Sequence, residues 1–251
     1  MKLSVLCITW NNADTIEDML ISIKGLFDEL LVSDQQSTDK TITLLKKYDA
    51  TIFSTKIVNI GKRFGFLLNK ALGDWILILV PDEKLSLELK QEITEILSKK
   101  SFPYYLGYQI SFQNYVFNKP VFFGGEQYSR IRLFRRKHVK ISEDPIHEEI
   151  TIQGQTGYLD GKIYHHSYRS PSQLFFKFSI YARISSELKF KKYEHLTVKK
   201  LFFYGPHMFW ARFMKEKGYK DGVHGFILAM AFAYMEALTY WLLLLKRLRL
   251  V

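Results

Sequence analysis

The first hundred residues alternate short apolar runs with amphipathic stretches, and this rhythm limits the chain to few folds. Strands are predicted at KLSVLCIT, ELLVSD, ATIFST and DWILIL. The segments between them have helical periodicity, and Asp14 followed by Glu17 predicts a capping box at the first helix, whereas Ser86 predicts the cap of the fourth. Repeated strand–helix units predict an α/β fold: a Rossmann-like, mostly parallel sheet with helices on both faces.

Beyond residue 100 the pattern changes twice. YYLGYQISFQNYVF alternates as a half-buried strand does, Gly124 and Gly125 predict a turn, and RIRLFRR predicts a further strand. From Ser172 onward the apolar residues follow a helical period, which predicts a C-terminal helical extension. We therefore divide the chain into residues 1–100, 101–171 and 172–251.

Charge is distributed unevenly between these segments. Residues 1–100 hold 13 Lys/Arg against 14 Asp/Glu, whereas residues 101–251 hold 23 against 11. Such a basic half is typical of a protein that binds nucleic acid, an anionic membrane or a phosphorylated substrate, and equally of a merely solvated surface. The sequence has no nucleic-acid-binding motif and no zinc-ligand spacing, so we expect no nucleic-acid partner.

The N-terminal segment and the single cysteine indicate a compartment. Cys7 is the single cysteine, which excludes an internal disulfide framework, and its place within an apolar run favours a reducing environment. MKLSVLCITWNNAD becomes polar at Trp10 and has no small-residue cleavage site, so we interpret it as a first strand and not as a signal peptide. Both features favour a cytoplasmic protein.

Polar clusters follow three of the predicted strands. They are TWNNAD, SDQQSTD and VPDE. The carboxyl ends of parallel strands lie at one edge of a sheet, where ligands of such folds bind. Any one cluster is equally typical of a helix cap or a turn, but the three together predict a ligand site.

These clusters also carry a resemblance to a known family. WNNADTI, DQQSTDKT, NKALGDWILIL leading into PDE, RIRLFRR, IHEE, HHSYRS and KGYKDGVHGF occur in an order that resembles family 2 of inverting glycosyltransferases, which have the GT-A fold. More narrowly, the arrangement is similar to bacterial members that add sugars to the lipopolysaccharide core. The resemblance implies a nucleotide-sugar-binding half over residues 1–100 and an acceptor-binding half over residues 101–171.

The resemblance implies residues for the nucleotide. Asp34 occupies the place of the acidic residue that hydrogen-bonds the nucleobase or ribose, and Thr9–Asn11 would form the opposite wall. Trp10 offers a stacking surface there, although a tryptophan packed over a loop is an equal alternative.

Two further residues lie before the fourth strand. Arg63 and Asn69 are expected near the nucleotide, Arg63 as a bidentate donor to a diphosphate oxygen, with a solvated surface as the alternative.

The resemblance also implies a divalent cation, Mg²⁺ or Mn²⁺. The family has two aspartates around one residue before a glutamate, but here Val80 stands at the first aspartate and only Asp82 and Glu83 remain. Asp82 can still be a direct ligand, because phosphates and water fill most positions around such an ion. Loss of the first carboxylate keeps open a non-catalytic relic of the family that binds nucleotide or sugar.

The residues implied for catalysis lie in the acceptor-binding half, residues 101–171. An inverting transferase needs a carboxylate to take the proton of the attacking hydroxyl, and the resemblance points to Glu148 in SEDPIHEEI, with His147 as a metal or diphosphate contact. Arg132, which shares a face with Arg130 at period two, is expected to reach the donor phosphates. Without the resemblance, a His-Glu pair in a loop is more typical of a turn.

The last apolar run, FILAMAFAYMEALTYWLLLL, is followed by KRLRLV. It is long enough to span a bilayer, but Glu236 and Thr239 favour an interfacial helix over a span, and a helix docked on the core is the third alternative. We expect a cytoplasmic protein that binds peripherally to the anionic inner face of the cell membrane.

The sequence therefore predicts an inverting glycosyltransferase. Its partners would be a nucleotide-diphosphate sugar and a glycolipid, lipopolysaccharide-core or other cell-surface acceptor. A sugar-1-phosphate nucleotidyltransferase is disfavoured, because TWNNAD contains no glycine for a phosphate loop.

Overall fold

The computed structural model describes residues 1–99, 104–142 and 149–250. The chain forms two compact units: Met1–Phe112 with Tyr128–His165, and Gln113–Gln127 with His166–Val251. These units differ from the three predicted segments. Strands beyond residue 100 complete the sheet that begins near the N-terminus, and a short segment from the middle of the chain belongs with the C-terminal helices.

The elements follow the predicted order. The first half contains β1 (Leu3–Thr9), α1 (Ile16–Ile23), β2 (Glu29–Asp34), α2 (Thr41–Lys46), β3 (Thr51–Ser54), α3 (Ile60–Lys70), β4 (Trp75–Ile78), β5 (Glu83–Leu85) and α4 (Leu87–Ser98). Next come β6 (Gly107–Val116), β7 (Lys119–Pro120), β8 (Ser129–Arg135), β9 (Val139–Ile141), β10 (Ile150–Ile152) and β11 (Thr156–Tyr168). The chain continues with α5 (Pro171–Lys191), α6 (Val198–Trp210), a π-helical turn (Ala211–Lys215), a 3₁₀ turn (Gly218–Asp221) and α7 (Gly222–Arg247).

The main sheet confirms the predicted fold class and is parallel in one part only. Its order is β3-β2-β1-β4-β8-β6-β11-β5, with β7 paired to β6. The neighbours among β1 to β4 are parallel, since helices cross over between them. Beyond β4 the pairs β4–β8, β8–β6 and β11–β5 are antiparallel, so the sheet as a whole is mixed.

Helices cover both faces of the parallel part, which explains why its strands are apolar throughout. Every residue of β1 is buried. Leu3, Val5 and Cys7 pack in one core with α1 and α4, whereas Leu6 and Ile8 pack in a second core with α3. A strand buried on both faces needs an apolar side chain at almost every position.

The helix starts differ from prediction in two places. α1 has Thr15 at its N-cap position with no side-chain capping hydrogen bond, so the predicted capping box at Asp14 does not form. α3 begins at Ile60, before Phe64, where the FGFLLNKAL pattern predicts its start, and Asn59 Oδ1 caps it by accepting a hydrogen bond from the amide of Lys62 at 2.8 Å. The predicted cap at Ser86 is confirmed, since its hydroxyl accepts a hydrogen bond from the amide of Leu89 at 3.2 Å.

The second unit is built around α7. Its core contains Leu174 and Phe178 of α5 with Leu228 and Ala231 of α7, and Gly205 of α6 lies against Ala237 of α7. Among the described residues, the stretch Gly218–Arg247 has the length and composition to cross a membrane, with a mean hydropathy of 1.6.

Candidate functional site

The polar clusters after β1, β2 and β4 meet at one edge of the sheet, as predicted. Thr9 is in register with Asp34, where β1 and β2 end together. β4 ends beside β1, and the amide of Leu79 donates to the carbonyl of Leu6 at 3.1 Å. We call this edge, with the loops that leave it, the acidic edge.

The loop after β1 is tied to the loop after β2. Asn11 has a φ of 51°, in the left-handed region that asparagine tolerates. Its amide donates to Ser37 Oγ at 2.8 Å, and its Oδ1 accepts from the amide of Thr38 at 2.8 Å. Trp10 is 59% exposed next to this link, so its ring is not packed over the loop and is accessible to a ligand.

Asp34 is the buried carboxylate of this edge, with 2% exposure. One of its oxygens accepts from the amide of Ser37 at 2.9 Å and the other from the Ser37 hydroxyl at 2.5 Å. These bonds hold the carboxylate at the end of β2. Each oxygen keeps acceptor capacity, so a ribose or base donor has a suitable partner here.

Arg63 lies beneath the acidic edge and not on the surface. It is 4% exposed. Its Nε donates to Ser33 Oγ at 3.1 Å, its Nη1 to Gln35 Oε1 at 3.2 Å and its Nη2 to the carbonyls of Thr9 and Ser33. Burial lowers the pKa of Arg63, and the nearby charge of Asp34 opposes that shift. The guanidinium therefore fastens the ends of β1 and β2 together, and the surface alternative is excluded.

Asn69 is placed away from the acidic edge. It is exposed near the end of α3, which runs from the carboxyl edge back to the amino edge of the sheet. Just after it, the amides of Leu72 and Gly73 bond to Glu29 and Ser4, at the starts of β2 and β1. About ten residues of helix separate Asn69 from the site, or roughly 15 Å.

Asp82 is the accessible carboxylate after β4. It is partly exposed, and its Oδ2 lies 3.6 Å from Nε2 of His165 in β11. His165 reaches this position because it pairs with Glu83 in the antiparallel β11–β5 ladder. The ring of Phe112 meets the imidazole edge to face at 6.2 Å and forms an apolar wall.

Glu83, the neighbour of Asp82, is buried and serves a different purpose. Its Oε1 accepts from Arg132 Nη2 at 3.1 Å, and its Oε2 accepts from the amide of Val80 at 3.0 Å. Burial raises the pKa of the Glu83 carboxyl, and the charges of Arg132 and His165 oppose that rise. Glu83 thereby fixes the turn that presents Asp82.

Arg132 faces this buried carboxylate because of an irregularity in β8. Consecutive residues Tyr108 and Gln109 of β6 are in register with Leu133 and Ile131, so Arg132 is the extra residue of a β-bulge. Its guanidinium lies over the ring of Phe112 at 5.4 Å. Arg132 is buried, and the structure places it under the turn that carries Asp82.

His147 and Glu148 lie outside the described residues. The flanking residues are fixed: the amide of Ser142 donates to the carbonyl of Glu149 at 2.9 Å, and the amide of Glu149 donates to Ser142 Oγ at 2.8 Å. The roles of His147 and Glu148 stay predictions.

Asp82 and His165 are the residues of the acidic edge that would hold a divalent cation together with a bound ligand. Within residues 1–99, 104–142 and 149–250, no group of three or more His, Cys, Asp or Glu side chains is arranged to hold a metal. Asp82 and His165 bring an oxygen and a nitrogen close together, and the diphosphate of a nucleotide supplies the other oxygens that Mg²⁺ or Mn²⁺ prefers. Glu83 is buried and accepts a hydrogen bond from Arg132, whereas Asp82 is partly exposed.

Sequence relatives cover almost the whole chain, although no family model matches it. An uncharacterized glycosyltransferase of Rickettsia prowazekii is 26% identical in an alignment of 257 positions, which covers 94% of this chain and 85% of that protein. One from Rickettsia felis is 27% identical over 248 residues, covering 94% and 87%. The prophage-derived glycosyltransferase SunS of Bacillus subtilis is 26% identical over 211 residues, covering 80% of this chain and 48% of SunS.

Solved structures give weaker likenesses. The crystal structure of S. aureus TarS 1-349 in complex with UDP has 15% identity and a TM-score of 0.47, and covers 99% of this chain and 92% of that chain. Glucosyl-3-phosphoglycerate synthase from Mycobacterium tuberculosis, in complex with Mn²⁺, UDP and glucosyl-3-phosphoglycerate, has 21% identity and a TM-score of 0.35, covering 45% and 44%. Likeness at this level assigns no ligand to the present chain.

The fold and the acidic edge define an α/β protein with a candidate ligand site at the carboxyl ends of its parallel strands. Its relatives over nearly the full length are named glycosyltransferases, which supports a glycosyltransferase-like protein of this class.

Proposed function

We propose that the protein is an inverting glycosyltransferase of the family 2 type, which transfers a sugar from a nucleotide-diphosphate donor to a hydroxyl of an acceptor glycan. The observation that carries the proposal is the acidic edge, where Asp34 ends β2 and Asp82 follows β4, the two strands that flank β1 in the parallel part of the sheet. The Rickettsia relatives, similar across 94% of the chain, support the same reaction class.

The nucleotide would lie over the ends of β1 and β2. Asp34 accepts a hydrogen bond from the ribose or base, and the Thr9–Asn11 loop forms the facing wall, with Trp10 stacking on the base. Arg63 contributes indirectly, because it holds both strand ends in place. Its predicted diphosphate contact would require it to leave these bonds.

The donor diphosphate would lie toward Asp82. This carboxylate and His165 would hold Mg²⁺ or Mn²⁺ together with phosphate oxygens, and the bound cation would offset charge on the leaving diphosphate. Glu83 and Arg132 keep the Val80–Glu83 turn in its shape. The Arg132 guanidinium also opposes the buried charge of Glu83.

The acceptor hydroxyl would lose its proton to Glu148 as its oxygen attacks the anomeric carbon opposite the leaving diphosphate. A carboxylate in this position removes the proton during attack, so the acceptor need not be ionised beforehand. We propose a lipopolysaccharide-core, lipid-linked or other cell-surface glycan as the acceptor, on the resemblance in residues 10–226.

A donor-hydrolysis assay tests the proposal. Glycosyltransferases transfer some sugar to water when no acceptor is present, so purified protein with Mn²⁺ should release nucleoside diphosphate from its donor. Asp82→Asn should suppress this release, and Tyr158→Ser, which changes an exposed residue of β11, should not. Nuclear magnetic resonance of the released sugar then reports its anomeric configuration, and retention would contradict the inverting mechanism.

A non-catalytic relic is the second candidate, because Val80 replaces a carboxylate of the family pattern. Its side chain packs against the core on the α3 face of the sheet. A relic would bind nucleotide or nucleotide-sugar and release no nucleoside diphosphate in the same assay.

A further inference from the structure

The C-terminal unit exposes an aromatic face along two neighbouring helices. On α7 the exposed apolar side chains are Val223, Phe226, Met230, Tyr234 and Trp241. At about 100° per residue they fall within an arc of about 80°, so they form one stripe along the helix. The helix has 26 residues, which corresponds to a length of about 39 Å.

α6 and the turn after it widen this stripe. Phe202, Phe203, Trp210 and Met214 are each more than half exposed. Phe202 meets Trp241 edge to face at 5.7 Å, and Phe209 meets Phe226 at 5.7 Å, so the two sets are continuous. We call the combined surface the aromatic face. Exposed apolar surface on this scale marks an interaction site in a soluble protein.

Positive charge lies at both ends of the aromatic face. Exposed Lys215, Lys217 and Lys220 lie where α6 leads into α7, and exposed Lys199, Arg247 and Arg249 lie at the other end. Residues 198–215 contain no Asp or Glu, and exposed Glu216 lies between Lys215 and Lys217. Glu236 of α7 lies off the stripe, since it is four residues before Tyr240, which faces the interior.

The opposite side of α7 is held by polar contacts. Tyr240 donates to Glu194 at 3.2 Å, and Lys246 donates to Glu187 of α5 at 2.7 Å. A bilayer-spanning α7 would carry these charged partners into the hydrocarbon, where they are costly. Helices lying in the membrane plane would keep them in water.

We propose that the aromatic face lies flat on the surface of an anionic lipid membrane, with Phe203 and Trp210 inserted among the acyl chains and the lysines and arginines at both ends contacting the head groups. Apolar burial combined with basic flanks is the usual basis of such binding. The site is separate from the acidic edge, and it does not depend on the proposed sugar transfer.

Co-sedimentation with lipid vesicles tests the proposal on the full chain. Wild-type protein should bind vesicles of phosphatidylcholine and phosphatidylglycerol, should bind pure phosphatidylcholine more weakly, and should lose binding as salt is raised. Phe203→Ser with Trp210→Ser should lower the partition coefficient about tenfold or more. Tyr104→Ser with Tyr158→Ser, which removes two exposed aromatics of the other unit, should leave it unchanged.

A charge variant keeps the test independent of aromatic packing. Replacing Lys215, Lys217 and Lys220 by Gln should lower binding to the anionic vesicles by about fivefold per residue. Circular dichroism checks that each variant is folded. Unchanged vesicle binding by folded Phe203→Ser/Trp210→Ser protein would overturn the proposal. Resistance of the membrane-bound wild type to alkaline extraction would also overturn it, because such resistance indicates a bilayer-spanning helix. Wild-type dimers that dissociate in this variant, without vesicle binding, would show that the face binds a second copy of the chain.

Discussion

Three side chains of the VPDE stretch, those of Val80, Asp82 and Glu83, have different environments. Val80 packs against the core on the α3 face, Asp82 is partly exposed beside His165, and Glu83 is buried against Arg132. The two carboxylates of VPDE are therefore not equivalent: Asp82 is partly exposed at the acidic edge, and Glu83 holds the turn that presents it.

Val80→Asp should lower stability and should not restore metal binding. The side chain is half-buried against apolar residues of the second core, so an aspartate there would lose part of its hydration. A buried unpaired polar group costs about 1–3 kcal/mol by mutational data. Urea unfolding measures this loss, with Val80→Ala as a size control. Tighter Mn²⁺-dependent donor binding by Val80→Asp at unchanged stability would contradict this placement.

The stability of two variants, Glu83→Gln and Asp82→Asn, should distinguish a structural carboxylate from one that binds a ligand. Removing the Glu83 charge leaves Arg132 buried without its anionic partner, which should cost about 3 kcal/mol or more. Asp82 is partly exposed, so Asp82→Asn should change stability by about 0.5 kcal/mol or less. Chemical denaturation of both variants checks the contrast, and equal losses would contradict the assigned environments.

At the scale of the elements, the connection between α5 and α6 is bonded to α7 through the carboxylate of Glu194. Glu194 accepts hydrogen bonds from Lys189 at 2.9 Å and Lys200 at 2.8 Å, and Tyr240 of α7 bonds to it as well. Both lysines also lie over the Tyr240 ring. Partial burial raises the pKa of Glu194, but these hydrogen bonds and charges outweigh that effect and lower the pKa from 4.5 to about 2.

The C-terminal unit should consequently lose stability in acid. Because the folded-state pKa of Glu194 is depressed, its contribution is present above the unfolded value of 4.5 and is lost as pH falls through about 2. Glu194→Gln should lower Tm at neutral pH and flatten the fall of Tm below pH 4.5. Glu17→Gln, at an exposed carboxylate of α1, serves as the control. An identical pH dependence of Tm in wild type and Glu194→Gln would contradict this role.

At the scale of the whole molecule, the parallel half of the sheet was predictable because local sequence patterns specify its strands and helices. Strands buried on both faces appear as continuous apolar runs, and the polar residues that end them must meet at one edge. This reasoning placed Thr9, Asp34 and Asp82 together. The burial of Arg63 beneath this edge was not predicted; it follows because α3 starts at Ile60, which turns Arg63 inward with Phe64 and Leu67.

The antiparallel half was less predictable because its contacts join distant residues. His165 is next to Asp82 only through the β11–β5 register, and no local pattern specifies that pairing. The bulge at Arg132 likewise depends on pairing with β6, and it replaces the simple period-two face expected from RIRLFRR. Two histidines at the end of an alternating strand were the available signal for His165.

A substitution at Glu148 in the full chain tests the proposed catalytic base. Glu148→Gln keeps size and hydrogen bonding but cannot accept a proton, so transfer should fall by roughly two to four orders of magnitude while donor binding changes little. Initial rates with saturating donor measure the effect, and Glu149→Gln is the neighbouring control. Near-normal turnover of Glu148→Gln would refute the assignment.

The central claim is that the acidic edge binds a nucleotide-sugar through Asp34 and Asp82, and isothermal titration measures this most directly. Wild-type protein should bind at least one nucleotide-diphosphate sugar from a donor panel more tightly with Mn²⁺ than without it. Asp82→Asn should abolish the Mn²⁺-dependent part, because a neutral amide is a poor ligand for a hard cation, and Asp34→Asn should weaken binding with and without metal. Failure of the folded wild type to bind any nucleotide-sugar with Mn²⁺ or Mg²⁺, or equal Mn²⁺ dependence in Asp82→Asn, would contradict the account.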